Sequence, residues 1–284
     1  MIETIGRGGG AEQLLAALLP VLSNGGAKVE VVALFDWPED LSSVLKEHQI
    51  VVHRLSIPGR RSVVRGLWRL RQVLRGRHYD IVWGHLLLGN LYARMAQLLV
   101  RRSKLVVTLH SKDFGRDASG IGRTLERLLL TRADRKVAVS DALRVDYRQV
   151  LGWDDVEVIH NGVDIPAVRE LAAAADAAAV RSTFCVAESD FLIVTPARFA
   201  PVKGHDYLLA SLRDLIRDGL PLVLVLAGEG PSEDSIRAQV NKLGIADKVR
   251  FAGLLSHDQL MPLMASADAV VLPSLYESFG LVPL

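Results

Sequence analysis

The segment "PSLYESFGLVPL" (273–284) places an acid, Glu277, an aromatic, Phe279, and a glycine, Gly280, just after an apolar run, "ADAVVLP" (267–273). An ionised carboxylate there can accept paired hydrogen bonds from vicinal hydroxyls, the polar handles of a sugar. A glycine beside it lets backbone N–H groups close on the same ligand. "PARFAPVKGHDYLL" (196–209) holds two cations, Arg198 and Lys203, next to Gly204. Two cations in one loop make an anion site. "GRGGGAEQLL" (6–15) brings Gly9 and Gly10 to the start of a helical pattern, where bare backbone can approach a phosphate. It matches neither Gly-x-Gly-x-x-Gly with a later acid nor a Walker A loop. His110 ends "LVVTLH" and can donate a hydrogen bond to an anion or move a proton near neutral pH; His85, after "DIVWG", is placed alike with a weaker case. "LAGEGPSEDSI" (226–236) sets Gly228 and Gly230 around Glu229. Taken singly, each stretch also reads as a turn, a surface histidine or solvated charge.

All but 6–15 follow apolar runs that read as strands, and 6–15 follows "MIETI", which reads as the tail of a first strand. The runs are 29–35, 50–55, 80–84, 104–109, 136–140 and 156–159, then 191–197, 222–228, 249–253 and 267–273. Helical patterns fall near 10–24, 62–76, 87–101, 119–132 and 141–151, then near 205–218, 232–243 and 256–266. Continuous Val/Ile/Leu strands alternating with helices predict parallel sheets covered on both faces. The alternation pauses at "HNGVDIP" (160–166), before one Ala-rich helix, "AVRELAAAADAAAVRSTF" (167–184). The expected division is therefore into α/β domains at 1–165 and 166–284. Ligands of such sheets bind beyond the carboxyl ends of the strands, where the five stretches lie.

The bulk properties exclude several classes. At 284 residues, half of them hydrophobic, the chain suits two domains. The single cysteine, Cys185, cannot form an internal disulfide and fits a reducing, cytoplasmic compartment. No His/Cys cluster has metal-ligand spacing. Net charge is +2, but 1–166 carries 24 Lys and Arg against 18 acids, and the remainder 10 against 14. The excess is concentrated in 59–104, with eleven Lys or Arg and one acid, Asp80, and seven of the arginines lie in Arg60–Arg77. There Val63, Leu67, Leu70 and Leu74 share one helical face, and Arg61, Arg65 and Arg69 share another, with Trp68 near. That pattern reads as a helix on an anionic membrane surface or as a core helix with a solvated arginine face. No nucleic-acid module is recognisable.

Taken together, "GGAE" (9–12), "HNGVD" (160–164), "ARFAPVKG" (197–204), "GEGP" (228–231), "VRFAG" (249–253) and "ADAVVLPSLYESFGLVPL" (267–284) resemble the retaining glycosyltransferases of family four. The Arg…Lys-Gly loop and the final segment are the specific parts. The resemblance implies a GT-B fold, in which two Rossmann-like, doubly wound domains face a cleft. It also implies a nucleotide-diphosphate sugar as co-substrate, no other cofactor and no metal. By the same resemblance Arg198 and Lys203 would hold the diphosphate and steady the leaving group. Gly9 and Gly10 would offer backbone to the phosphates, and His110 would lie near the transferred sugar. Glu277, with Phe279, Gly280 and Leu281, would hold sugar hydroxyls. The acceptor would be a polysaccharide or a lipid-linked sugar, with the enzyme cytoplasmic and peripheral to the inner face of the membrane. The family's second acid would fall one position past Leu284, so the second domain is expected to be incomplete. A nucleotide-sugar epimerase of the same fold and a truncated, non-catalytic relic are the competing readings.

Overall fold

Strands form where Val, Ile and Leu run together, and parallel pairing buries both their faces. In the computed structural model the described residues are 2–3, 10–35, 39–57, 63–100, 103–111, 124 and 127–284. They divide into unit 1, Met1–Val163 with Ser278–Leu284, and unit 2, Asp164–Glu277.

Unit 1 runs β1 (Ile2–Glu3), α1 (Gly10–Asn24), β2 (Glu30–Ala33), α2 (Glu39–Glu47), β3 (Val51–Arg54), α3 (Val63–Leu74), β4 (Ile81–His85), α4 (Leu86–Leu99), β5 (Lys104–Leu109), β6 (Arg135–Ala138), α5 (Asp141–Leu151) and β7 (Val156–Val158). Among the described residues its strands are all parallel, in the order β3-β2-β1-β4-β5-β6-β7. Consecutive residues of β2 feed opposite cores. Val31 and Ala33 pack with Leu15, Leu19 and Leu45, whereas Val32 packs with Leu70, Leu74 and Ala93. The α5 helix shows local sequence control at both ends. Ser140 Oγ accepts the Leu143 N–H at 3.2 Å, and Gly152 closes the helix in the left-handed conformation.

Unit 2 runs α6 (Ile165–Ala173), α7 (Ala177–Thr183), β8 (Phe191–Pro196), α8 (His205–Arg217), β9 (Leu222–Ala227), α9 (Glu233–Leu243), β10 (Val249–Gly253), α10 (His257–Ala265) and β11 (Ala269–Val270). Its parallel sheet is ordered β10-β9-β8-β11, the same winding as the first four strands of unit 1. The six residues of β9 are all buried, with Leu222, Leu224 and Leu226 on one face and Val223, Val225 and Ala227 on the other. Each such Leu or Val side chain contributes about 1.5–3 kcal/mol of burial.

The two units share one sequence device. Asp134 precedes β6, and its N–H donates to Leu105 O at 2.9 Å while its Oδ2 accepts the Leu105 N–H at 2.8 Å. Asp268 precedes β11, and its N–H donates to Leu192 O at 3.0 Å while its Oδ2 accepts the Leu192 N–H at 2.7 Å. Each aspartate thus pins the start of a neighbouring central strand. Those backbone bonds, ahead of the cations Lys104 and Arg181, hold both carboxyls below the usual carboxylate range.

Two expectations need correction. The Ala-rich stretch forms two helices rather than one, because Asp176 turns its carboxylate onto the Ala179 N–H at 3.1 Å and starts a second helix. The run at 267–273 pairs as a strand only over Ala269–Val270. The α2 helix was not legible in the apolar pattern. Half of the helical pattern near 119–132 falls outside the described residues, and 127–130 are helical. Among those described, no helix is long and apolar enough to cross a membrane.

Candidate functional site

In unit 2 the winding reverses between β8 and β11, the place where open α/β sheets bind ligands. Three loops gather beyond the strand ends there. The loop after β8 carries Arg198 and Lys203, and the loop after β9 carries Gly228 and Gly230. They are zipped together by Phe199 N–H donating to Glu229 O at 2.9 Å and Ser232 N–H donating to Phe199 O at 3.1 Å. A Cβ on Gly228 would lie 2.2 Å from Ala197 O, and one on Gly230 would lie 2.3 Å from Phe199 O. Those glycines are therefore required by close backbone approach. The third loop, after β11, is tied in by Leu275 N–H donating to Val202 O at 2.8 Å. Gly204 (φ 66) admits it, since a Cβ there would lie 2.1 Å from Pro273 O.

This convergence brings Lys203 and Glu277 together, with Nζ 2.6 Å from Oε1. Ser274 Oγ donates to the same oxygen at 2.6 Å. Oε1 is thus committed, while Oε2 has no partner among the described residues. Ser274 was not singled out from the sequence. Its signal is the Ser-x-x-Glu spacing, which lets a hydroxyl reach a carboxylate three residues on. Arg198 is exposed and makes no hydrogen bond or ion pair among the described residues. The loop therefore presents one cation paired to a carboxylate and one without a counter-ion. His205, first in α8, is buried edge-on against Phe199 with ring centroids 5.2 Å apart, and burial lowers its pKa.

In unit 1 the reversal lies between β1 and β4. Gly10 opens α1, and Gly9 lies outside the described residues. His110 follows β5 directly. Its Nε2 is 2.9 Å from Nδ1 of His85, the last residue of β4. Burial lowers the His110 pKa to about 4. Burial lowers His85 well below the ordinary value too, helped by its neighbour His110. At neutral pH both rings are uncharged, so His110 offers one N–H and one lone pair rather than a cation. Phe279 packs on the main core of unit 1, its ring 5.7 Å from that of His160. Leu281 Cδ1 lies 3.0 Å from where a Cβ on Gly10 would stand, and Gly280 has φ 75. Phe279 and Leu281 thus make apolar contacts within unit 1. Among the described residues, no three His, Cys, Asp or Glu side chains gather as a metal site.

Comparison with known proteins decides the family. The family model described as Glycosyltransferase Family 4 matches residues 8–166, and that described as Glycosyl transferases group 1 matches 177–284. The chain belongs to the GT-B glycosyltransferases. A D-inositol 3-phosphate glycosyltransferase of Mycobacterium bovis is 30% identical to this glycosyltransferase chain over 239 residues, 76% of the chain and 47% of the relative. A glycogen synthase of Mycobacterium tuberculosis is 31% identical over 189 residues, 63% and 43% of the two. The chain spans about half the length of the curated relatives it matches. The solved structure of Anabaena HepE in complex with UDP-glucose superposes with a TM-score of 0.81 at 22% identity, over 99% of this chain and 77% of that one. That likeness carries the GT-B fold of the transferase.

Proposed function

We propose that the chain moves a sugar from a nucleoside-diphosphate sugar to an acceptor hydroxyl, with retention at the anomeric carbon and without a metal. Unit 2 takes the donor and unit 1 the acceptor. The observation that carries this reading is the Lys203–Glu277 pair at the strand-order reversal of unit 2, with Arg198, unpaired among the described residues, in the same loop. Arg198 and Lys203 supply positive charge where the diphosphate departs, and that charge matters most in the transition state. Glu277 keeps Oε2 for the sugar's hydroxyls because Lys203 and Ser274 both occupy Oε1. Gly9 and Gly10 lend backbone to the phosphates, and Phe279–Leu281 lend backbone to the sugar. Neutral His110 gives a directional hydrogen bond near the sugar. The bond from the anomeric carbon to the diphosphate oxygen breaks, the bond to the acceptor oxygen forms on the same face, and the acceptor's proton passes to the departing oxygen. UDP-glucose, held by HepE, is the first donor to try.

The acceptor in this reading is a polysaccharide or lipid-linked sugar of the cell envelope, reached from the cytoplasmic face of the membrane. The support is a mixed patch on α3 and α4. Val64, Trp68 and Leu98 are 83%, 61% and 58% exposed, and Arg65, Arg71 and Arg75 stand exposed on α3 and just after it. Arg69 is not part of that patch, because its guanidinium donates to the carbonyls of Leu55 and Ser56. Arg77 is likewise engaged, with Glu30. Arg60 and Arg61 lie outside the described residues.

Calorimetry of the purified chain with UDP, followed by a transfer assay with labelled UDP-glucose, tests the reading. Binding that weakens in Arg198→Ala, and transfer unchanged by a metal chelator, are expected. No heat with UDP, ADP or GDP would sink it. Conversion of the donor sugar without transfer would point to an epimerase instead.

A further inference from the structure

We propose that His85 is a positioning residue that fixes the tautomer of His110, so that His110 presents an Nδ1–H donor and not a lone pair. The inference rests on the transferase reading for its consequence, but its geometry stands alone. His85 is 1% exposed, and its Nδ1 meets His110 Nε2 at 2.9 Å. Of two neutral imidazoles sharing that contact, one nitrogen donates and the other accepts. The remaining nitrogen of His85, Nε2, is buried and has no partner among the described residues. A proton on it would be an orphaned buried N–H, which costs more than an unmet lone pair. His85 therefore carries its proton on Nδ1 and donates it to His110 Nε2. His110, also neutral, is left with its proton on Nδ1.

The surroundings hold His85 in place. β4 passes into α4 with no intervening loop, and Leu86 takes φ 59 to make that turn. A non-glycine residue in that region stores strain and persists only where packing demands it. Gly84 allows the close approach, since a Cβ there would lie 2.7 Å from Asn90 Oδ1 and 2.8 Å from Ala93 Cβ. Asn90 Nδ2 donates to Thr108 O at 3.1 Å, and Trp83 Nε1 donates to Thr108 Oγ1 at 2.8 Å. Thr108 is the register partner of His85 and stands two residues before His110. The Trp83 ring lies 4.5 Å from that of His85. Both histidines are thus tied to one framework. A donor on His110 would bind a sugar oxygen, whereas the other tautomer would present an acceptor.

The test labels the histidines of the purified full chain with nitrogen-15 and reads their tautomers near neutral pH from long-range proton–nitrogen spectra. Both rings are expected neutral with the proton on Nδ1; a proton on Nε2 of either overturns the proposal. This readout needs no turnover, so a chain that transfers no sugar fails the transferase reading and leaves the tautomer result standing. His85→Leu is then expected to let His110 drift to the Nε2–H form. It should lower kcat about tenfold, the worth of one hydrogen bond, with UDP affinity unchanged. His85→Asn, which keeps an N–H near the Nδ1 position, is expected to recover most of that loss. Unchanged kcat in a folded His85→Leu chain removes the positioning role, and a wild-type spectrum with the opposite tautomers removes it without any variant.

Discussion

Lys203 and Glu277, 74 positions apart in sequence, meet with Nζ 2.6 Å from Oε1. The contact joins the loops that leave β8 and β11, so one pair ties the cation loop to the carboxylate loop. Both side chains are partly exposed, and as a surface ion pair the contact adds little stability. Its consequence is orientation.

Lys203→Ala is therefore expected to weaken UDP binding about tenfold, since a charge-assisted hydrogen bond is worth about 1.5–3 kcal/mol. Transfer should fall further, because leaving-group charge grows in the transition state. Glu277→Gln should lower transfer while UDP affinity stays within about threefold. The double variant should cost less than the sum of the singles, as expected for side chains in contact. Calorimetry with UDP beside initial rates on UDP-glucose checks all three. Equal loss of UDP affinity in Glu277→Gln would move that residue off the sugar.

Gly204→Ala is expected to destabilise unit 2 by at least about 2 kcal/mol, because a Cβ would meet Pro273 O at 2.1 Å in a left-handed backbone. Gly76→Ala is the control. It has the same sign of φ, 72, but nothing within 4 Å, so only about 1 kcal/mol is expected. Urea denaturation of both variants gives the comparison, and equal losses would remove the steric argument.

Asp134→Asn and Asp268→Asn test the strand-start device through pH. Both carboxyls have folded pKa values below the ordinary 3.8. Their stabilisation is thus fully present above the unfolded pKa and is lost as pH falls through the folded one. Each substitution should cost about 1 kcal/mol at neutral pH, discounted because the side chains are 30% and 41% exposed. The difference from wild type should shrink as pH falls through the folded pKa values, which lie below 3.8. A pH-independent difference would mean that charge is not what Leu105 and Leu192 feel.

The patch on α3 and α4 should bind anionic vesicles with steep salt dependence and ignore neutral ones. Trp68→Ser combined with Arg65→Gln and Arg71→Gln should abolish binding at unchanged stability. Arg69→Gln should do the reverse, keeping binding and costing about 1 kcal/mol, because its guanidinium serves the carbonyls of Leu55 and Ser56. Co-sedimentation and melting curves separate the two. Loss of binding in Arg69→Gln alone would put that arginine back on the surface.

Local chemistry along the chain determined much of this protein. The Val/Ile/Leu runs specified parallel strands because burial on both faces demands apolar residues without alternation. Gly152, Ser140 and Asp164 marked helix ends through backbone groups one turn away. The placement of Arg198, Lys203, Glu277 and His110 just past strand ends was legible for the same reason. Partnership was not. That Lys203 takes Glu277, that Asp134 caps Leu105, and that Arg69 bonds the carbonyls just after β3 while Trp68 stays exposed depends on which strands lie side by side. Gly228 and Gly230 look like an ordinary turn until the loop after β8 is laid against them. The joining of His85 to His110 required β4 and β5 to be neighbours in register, with β1 and not β3 on the other side of β4. Periodicity in a sequence reports burial at each position, whereas strand order is decided by the packing of helices on both faces of the sheet, and so those contacts existed only in the tertiary structure.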